Sequence, residues 1–282
     1  MRTPATSYSN FSGNSPSTSS ACDRNDTQHD LKNSVFFNAA HSISGCTRLL
    51  RCPDAVQIIL DTLVKAENRG GISEISTISS FGCSSGEEVF TLALATAAYP
   101  ALSIHGYELY ESRLTTANRG YLGRLPAFSS LIQDLFGGRG EEIVSRLLAT
   151  SHIALNGDQV WLGEVLRERI KLFPVDLLAT APHERCQVGL LFNVLQHYPP
   201  EHRGVIIENC AGSVSEGGLL LISDVLLDEA SRSAHYGIVE GTIHCEKFCL
   251  TTVPWVRTHQ LEYPENPLLL RKTCYGARER FA

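Results

Sequence analysis

Seven consecutive residues, Gly82-Cys83-Ser84-Ser85-Gly86-Glu87-Glu88, carry the chemistry most open to reading. They follow the β-branched run Ile75 to Phe81 and lead into Val89-Phe90-Thr91-Leu92-Ala93-Leu94-Ala95, so they form a turn between a strand and a helix. Glycines at 82 and 86 let a ligand approach the main chain where a side chain would stand in the way. Ser84 to Glu87 and Ser85 to Glu88 each have capping-box spacing. The next strand ends at Glu108, 22 residues after Gly86, where an acid is placed to accept from two ribose hydroxyls. Such a pair of features suits a dinucleotide or S-adenosyl-L-methionine. The turn is not G-x-G-x-x-G, and two acids follow it at once. Carboxylates at a helix start repel a pyrophosphate and attract a sulfonium and an ammonium. The turn therefore points to S-adenosylmethionine; the plainer alternative is a helix start with no ligand.

The elements that must position these residues alternate short β-branched runs with helical stretches, the pattern of a parallel sheet covered by helices. Expected strands are Glu74 to Phe81, Ser103 to Glu108, Ile170 to Val175, Val188 to Phe192, Leu219 to Val225, Lys247 to Val253 and Leu268 to Tyr275. Expected helices are Gly86 to Ala98, Ser112 to Arg119, Glu201 to Ser213 and parts of Leu131 to Leu148. Val35 to Asn68 also carries apolar residues at helical spacing, and Arg69-Gly70-Gly71 stops that helix. No period of solenoid length repeats. Residues 1–33 are Ser/Thr-rich with no acid before Asp23, too polar to fold alone. We expect a disordered leader there, a solvated tail or an export address, then a helical segment over 34–72 and one domain over 73–282.

Composition removes several classes of function. The chain has 282 residues, 43% hydrophobic and 19% charged, and 24 Lys+Arg stand against 30 Asp+Glu. No basic segment follows a phosphate backbone, which argues against nucleic acid as a partner. The apolar runs Gly217 to Ile222 and Gly189 to Phe192 are far short of the roughly 20 residues that cross a bilayer. Nine cysteines, an odd number, with no apolar signal segment, suggest free thiols in a reducing cytoplasmic setting.

At this point the residues resemble a known family. Gly82 to Glu88 closely resembles the GC-S-[ST]-GEE signature of CheR-type methyltransferases, which use S-adenosylmethionine to methylate glutamates of chemotaxis receptors. The likeness runs over about residues 34–226. Asn33 to Phe37 is similar to an aromatic pair before the family's first helix, and Arg119-Gly120-Tyr121 to its G-x-Y stretch. Val165 to Leu178 looks like its adenine strand, Leu191 to Tyr198 like its R-N-V-L-I-Y segment, and Ser215 to Leu221 like the turn and fifth strand of class I methyltransferases. Three positions depart: Asn38 and Phe192 stand where the family has arginine, and Glu108 where it has aspartate. The family's basic helical N-terminal domain is not expected here, since only Asn33 to Gly71 is available for it. The resemblance implies a class I methyltransferase (Rossmann-like) α/β fold, with a seven-stranded sheet, helices on both faces and an insertion between the second and third strands, over 124–168. It implies that Gly82, Cys83, Ser84, Gly86 and Glu88 line the methionine end, that Glu108 holds the ribose, that Asp176 and Leu177 flank the adenine, and that Asn193 and Val194 lie near the sulfonium. Asp176 also reads as a turn cap and Leu177 as core.

Methyl transfer from a sulfonium asks mainly for alignment and exclusion of water. A carboxylate acceptor needs no base, whereas a hydroxyl or amine benefits from one. His197, four residues after Asn193, is the candidate base, and Tyr198 the candidate wall of the acceptor pocket. His244, Cys245 and Cys249 lack a second pair at zinc spacing, so no metal is expected. No G-x-S-x-G and no Walker lysine is present. The acceptor is then a protein carboxylate or, alternatively, a hydroxyl or amine of a small molecule; a cofactor-binding protein without turnover is the third reading. Acceptor specificity is expected in 124–168 and in 226–266, where His235, Tyr236 and Trp255 could close over the site.

Overall fold

Thr77-Ile78-Ser79-Ser80-Phe81 is buried along its whole length, as a strand with both faces covered must be. It is the first strand, β1 (Thr77–Phe81), of the chain's computed structural model, which describes residues 49, 53–68, 75–136, 139–224, 236, 238–239, 242–253 and 268–274. The helix α1 (Pro53–Asn68) precedes it, and α2 (Glu87–Ala95), β2 (Ser103–Glu108) and α3 (Glu111–Ala117) follow. Next come β3 (Tyr121–Arg124), α4 (Leu125–Phe136), α5 (Gly140–Ala149), β4 (Ile153–Asn156), β5 (Gln159–Leu162) and α6 (Glu164–Arg167). The chain continues with β6 (Ile170–Pro174), β7 (Cys186–Phe192), α7 (Pro200–Ser213), β8 (Val214–Ser223), β9 (Thr242–His244), β10 (Phe248–Thr252) and β11 (Leu268–Cys274). The leader, Asn33 to Phe37, Asn38, the Arg69-Gly70-Gly71 stop, His235 and Trp255 lie outside the described residues.

Eight strands form one sheet in the order β6-β2-β1-β7-β8-β11-β10-β9. The pairs β1–β2, β2–β6, β1–β7 and β7–β8 are parallel, which requires the covering crossovers that the helices supply. β11 runs antiparallel between β8 and β10. This is the expected Rossmann-like class I methyltransferase sheet with one strand more than expected: β9, only three residues long, pairs antiparallel with the edge of β10. Strand order reverses between β1 and β7, since β2 lies on one side of β1 and β7 on the other. In such sheets the crevice for a ligand opens at the carboxyl ends of the strands beside the reversal.

Alternation along the strands divides the core in two. Ile78, Ile104, Leu190 and Leu221 pack with α1 and α2, through Ile59, Val89 and Leu92 among others. Leu191, Leu220, Ile222 and Leu270 pack with α7, through Ile206, Ile207 and Cys210. One cation is built into the second layer. Lys272 of β11 is 4% exposed, and its Nζ donates to the carbonyls of Ala211 at 2.8 Å and Val214 at 2.7 Å and lies 4.4 Å from the centre of the Phe248 ring. It thus closes the carbonyl end of α7, where the helix dipole favours a cation. Lys272→Met keeps the volume and removes the donors, leaving carbonyls less well satisfied. We expect a loss of about 1–3 kcal/mol, read by urea unfolding.

Between β2 and β6 the chain makes a separate three-stranded sheet, β3-β5-β4, backed by α4 and α5. This is the insertion expected over 124–168, although its strands begin earlier, at Tyr121, and were not expected as strands. Ile153, Val160 and Leu162 point into the core, while the rings of Tyr121 and Trp161, paired across β3 and β5, lie 5.1 Å apart at a tilt of 56°.

Candidate active site at the sheet reversal

The turn leaving β1 is tied to the end of β2. The amides of Gly82 and Cys83 both donate to the Tyr107 carbonyl, at 2.7 and 2.9 Å, and the Gly86 amide donates to the Cys83 carbonyl at 3.0 Å. Three residues of the turn have positive φ: Gly82 at 81°, Ser84 at 51° and Gly86 at 98°. A Cβ on Gly82 would run into Cγ2 of Val194, and one on Gly86 would meet Phe90 Cζ at 2.6 Å and Ala117 Cβ at 2.9 Å. Both glycines are therefore demanded by conformation and by packing within the protein itself.

The helix start differs from the capping boxes expected. Gly86 is the N-cap of α2, with no side-chain cap bond. Its left-handed backbone turns the serine side chains elsewhere: Ser85 Oγ donates to Glu87 Oε1 at 2.9 Å, and Ser80 Oγ of β1 donates to Glu88 Oε1 at 2.5 Å. Glu87 and Glu88 then lie in the first turn of α2, where the dipole stabilises them. Cys83 is fully buried, and burial, with Glu108 and Glu88 next, pushes its thiol well above its ordinary range. A thiol held protonated in this way is a packing residue.

Glu108 ends β2 and is 5% exposed. Its Oε2 accepts from the Ser84 amide at 2.9 Å, and its Oε1 accepts from the amides of Leu109 at 3.0 Å and Tyr110 at 3.2 Å. The Arg113 guanidinium lies 3.9 Å from Oε1. The acid thus joins the glycine turn to the start of α3.

Beyond β7 the chain folds over this turn. Asn193 has φ 57°, and its amide donates to the Ser223 carbonyl at 2.6 Å, which anchors the loop to the end of β8. Val194 rests on Gly82, and Leu195 to His197 make one 3₁₀ turn. Arg203 of α7 holds the far end of the loop through the carbonyls of Leu195 at 3.2 Å and Tyr198 at 2.9 Å. Tyr198 packs against the second core layer, with Val175, Leu177 and Leu195, and burial first, then Asp176, Tyr110 and Glu108, pushes its phenol up. Asp176 Oδ1 accepts from the Leu178 amide at 2.9 Å, and its carbonyl accepts from Ala179 and Thr180, so it caps the turn after β6. Leu177 is core.

The His197 side chain meets its neighbour within the loop. Its Nε2 lies 3.4 Å from Gln196 Nε2, an amide donor, so the imidazole nitrogen is the acceptor there under the assigned amide orientation. The Gln196 main-chain amide donates to Asp224 Oδ1 at 3.3 Å, and the Tyr236 hydroxyl donates to Asp224 Oδ2 at 3.1 Å. Asp224, just past β8, is 2% exposed. Glu108, Ser84, Gly82 and Val194 therefore gather at the glycine turn, and the Gln196 amide joins the loop that carries His197 to Asp224 at the end of β8. Asp224 and Gln196 were not singled out in the sequence; the signal available was an acid two residues after the apolar run Leu219 to Ile222. Among the described residues no group of His, Cys, Asp and Glu could hold a metal, and no helix is long and apolar enough to cross a membrane.

No protein-family model and no curated protein matches the chain. Solved structures are similar at low identity. The N-methyltransferase NodS from Bradyrhizobium japonicum WM9, in complex with S-adenosyl-L-homocysteine, is 14% identical at a TM-score of 0.40, over 76% of this chain and 84% of that one. The magnesium protoporphyrin IX methyltransferase ChlM from Synechocystis PCC 6803, with bound SAM, is 16% identical at 0.38, over 79% of each. The StiE O-MT region is 16% identical at 0.33, over 56% of this chain, which spans only 40% of its length. At such scores none of these bears on the chemistry, and the fold stands on the strand order.

Proposed function

We propose that the chain is an S-adenosylmethionine-dependent methyltransferase that acts on a hydroxyl or amine of a small molecule. The observation that carries this is the gathering, at one sheet reversal, of an acid-flanked glycine turn and the loop that carries His197. Glu87, Glu88 and Asp176 are half-buried around that edge, a donor set that suits a sulfonium and an ammonium and disfavours a pyrophosphate. Gly82 to Gly86 and Glu88 would hold the methionine end, Val194 would back the sulfonium, and Tyr198 with Asp176 and Leu177 would line the nucleoside end. When bound, S-adenosylmethionine would supply the methyl, its sulfur keeping the electron pair of the broken C–S bond, and His197 Nε2 would take the proton released as the acceptor's O–C or N–C bond forms.

Charge separates the acceptor classes. Asp224 stands buried on the His197 side, so a carboxylate acceptor would enter a field already negative, whereas a hydroxyl or amine can donate into it. One observation favours the protein carboxylate instead: the three-stranded insertion lies where the CheR family carries its substrate-binding subdomain. Calorimetry with S-adenosylmethionine and S-adenosylhomocysteine is expected to show binding of both. Absence of binding by the folded protein would sink the assignment. Methyl-labelled cofactor in lysate is then expected to label the low-molecular-weight fraction; alkali-labile label on protein would select the carboxylate reading.

A further inference from the structure

We propose that Glu108 is a clamp that pre-forms the cofactor turn through main-chain amides, and that this clamping, not a grip on the ribose, is its main contribution to binding. The inference rests on the reading of this turn as the cofactor site. A carboxylate offers about four lone-pair positions. Here three are taken by the amides of Ser84, Leu109 and Tyr110, and the Arg113 guanidinium lies against the more heavily used oxygen. At 5% exposure Glu108 has little free surface left for a pair of hydroxyls. The bond to Ser84 also bears on the least comfortable point of the turn, because Ser84 is a side-chain-bearing residue at φ 51°, a conformation that asks for outside support. Side-chain length matters: glutamate reaches back to the amides of the two residues that follow it and also across to a turn 24 residues earlier. Without this acid the Ser84 amide loses its carboxylate acceptor, and the left-handed step loses the support that the bond supplies.

Two assays separate the clamp from a ribose contact. In the ligand-free protein, Cys83 lies fully buried in the clamped turn. Glu108→Asp keeps the charge but shortens the reach, and is expected to raise iodoacetamide labelling of Cys83 about tenfold, the mark of a local opening. Labelling of Cys186 and Cys210, buried elsewhere, should stay unchanged. Glu108→Gln, which sets an amide NH₂ against main-chain donors, is expected to do the same. In the second assay, S-adenosylhomocysteine and an analogue lacking both ribose hydroxyls are titrated into wild type and each variant. The clamp predicts that a variant weakens both ligands by the same factor, within about twofold. Loss confined to the ligand with hydroxyls would overturn the proposal, as would Cys83 labelling that does not rise, or a rise shared equally by Cys186 and Cys210. If wild type binds neither ligand, the functional reading fails while the labelling assay still decides the clamp.

Discussion

Gly82→Ala is expected to destabilise the protein by about 2–5 kcal/mol and to remove measurable S-adenosylhomocysteine binding. Two costs are present together. At φ 81° an L-residue pays roughly 1–2 kcal/mol for the left-handed conformation. The new methyl would also collide with Val194 Cγ2, and overpacking of that kind costs about 1–3 kcal/mol. The two are separable. Val194→Ala in the Gly82→Ala background clears the collision and should return the steric share, leaving the conformational one. Gly217→Ala is the control, since Gly217 has φ 75° but open space around it, and it should show only the conformational cost. Urea unfolding of wild type, Gly82→Ala, Val194→Ala and the double variant gives the cycle. A Gly82→Ala cost equal to that of Gly217→Ala, with no recovery on removing Val194, would show that the loop after β7 does not press on the turn.

That coupling shows what a sequence can and cannot carry. The strand–turn–helix unit around Gly82 was legible because alternation, paired glycines and the change to helical spacing are all local signals. The same holds for β2, β6, β7, β8, β10 and β11, whose cores fall within the runs expected from β-branched and apolar residues. The inserted sheet was not legible in this way. β3, β4 and β5 have four residues each, and β4 exposes three of its four, so no apolar alternation marks it. The one cue was Asn156-Gly157-Asp158, in which Gly157, at φ 62°, and Asp158 make a two-residue hairpin turn flanked by runs too short to weigh. β9 pairs at the sheet edge over three residues and is specified by its partner more than by itself.

Site residues divide along the same line. The position of Glu108 at the end of a strand follows from local pattern, but the direction of its side chain depends on amides 24 residues away and just ahead. Capping-box spacing at Ser84 and Ser85 was overridden because Gly86 takes the left-handed N-cap and swings Ser85 toward Glu87, while Ser80, from the strand, takes Glu88. Asp176 and Leu177 carry turn and core duties alongside any contact with a nucleoside. Between Tyr198 and His197, adjacent in sequence, a 3₁₀ turn ends and the backbone becomes extended. No spacing rule gives that break.

The proposed division of labour within this loop leads to the largest kinetic effect. His197→Ala should lower the rate of methyl transfer in a single turnover by about 10²–10⁴-fold, the usual range for a positioned general base, with little change in affinity for S-adenosylhomocysteine. Affinity should hold because, in the proposed reading, the glycine turn, Glu108 and Tyr198 would form the cofactor side, while the imidazole meets Gln196 of its own loop. The imidazole nitrogen accepts from an amide in the resting arrangement and would exchange that weak 3.4 Å contact for the acceptor's O–H or N–H. A base must be unprotonated to act, so the wild-type rate should fall toward acidic pH and that fall should be absent in the variant. Tyr198→Phe supplies the opposite signature: it should weaken cofactor binding more than it slows transfer of a saturating load. If His197→Ala instead loses cofactor affinity and keeps its transfer rate, the histidine is a support of the loop. The acceptor is then a nucleophile that needs no base, and the carboxylate reading gains what the hydroxyl and amine readings lose.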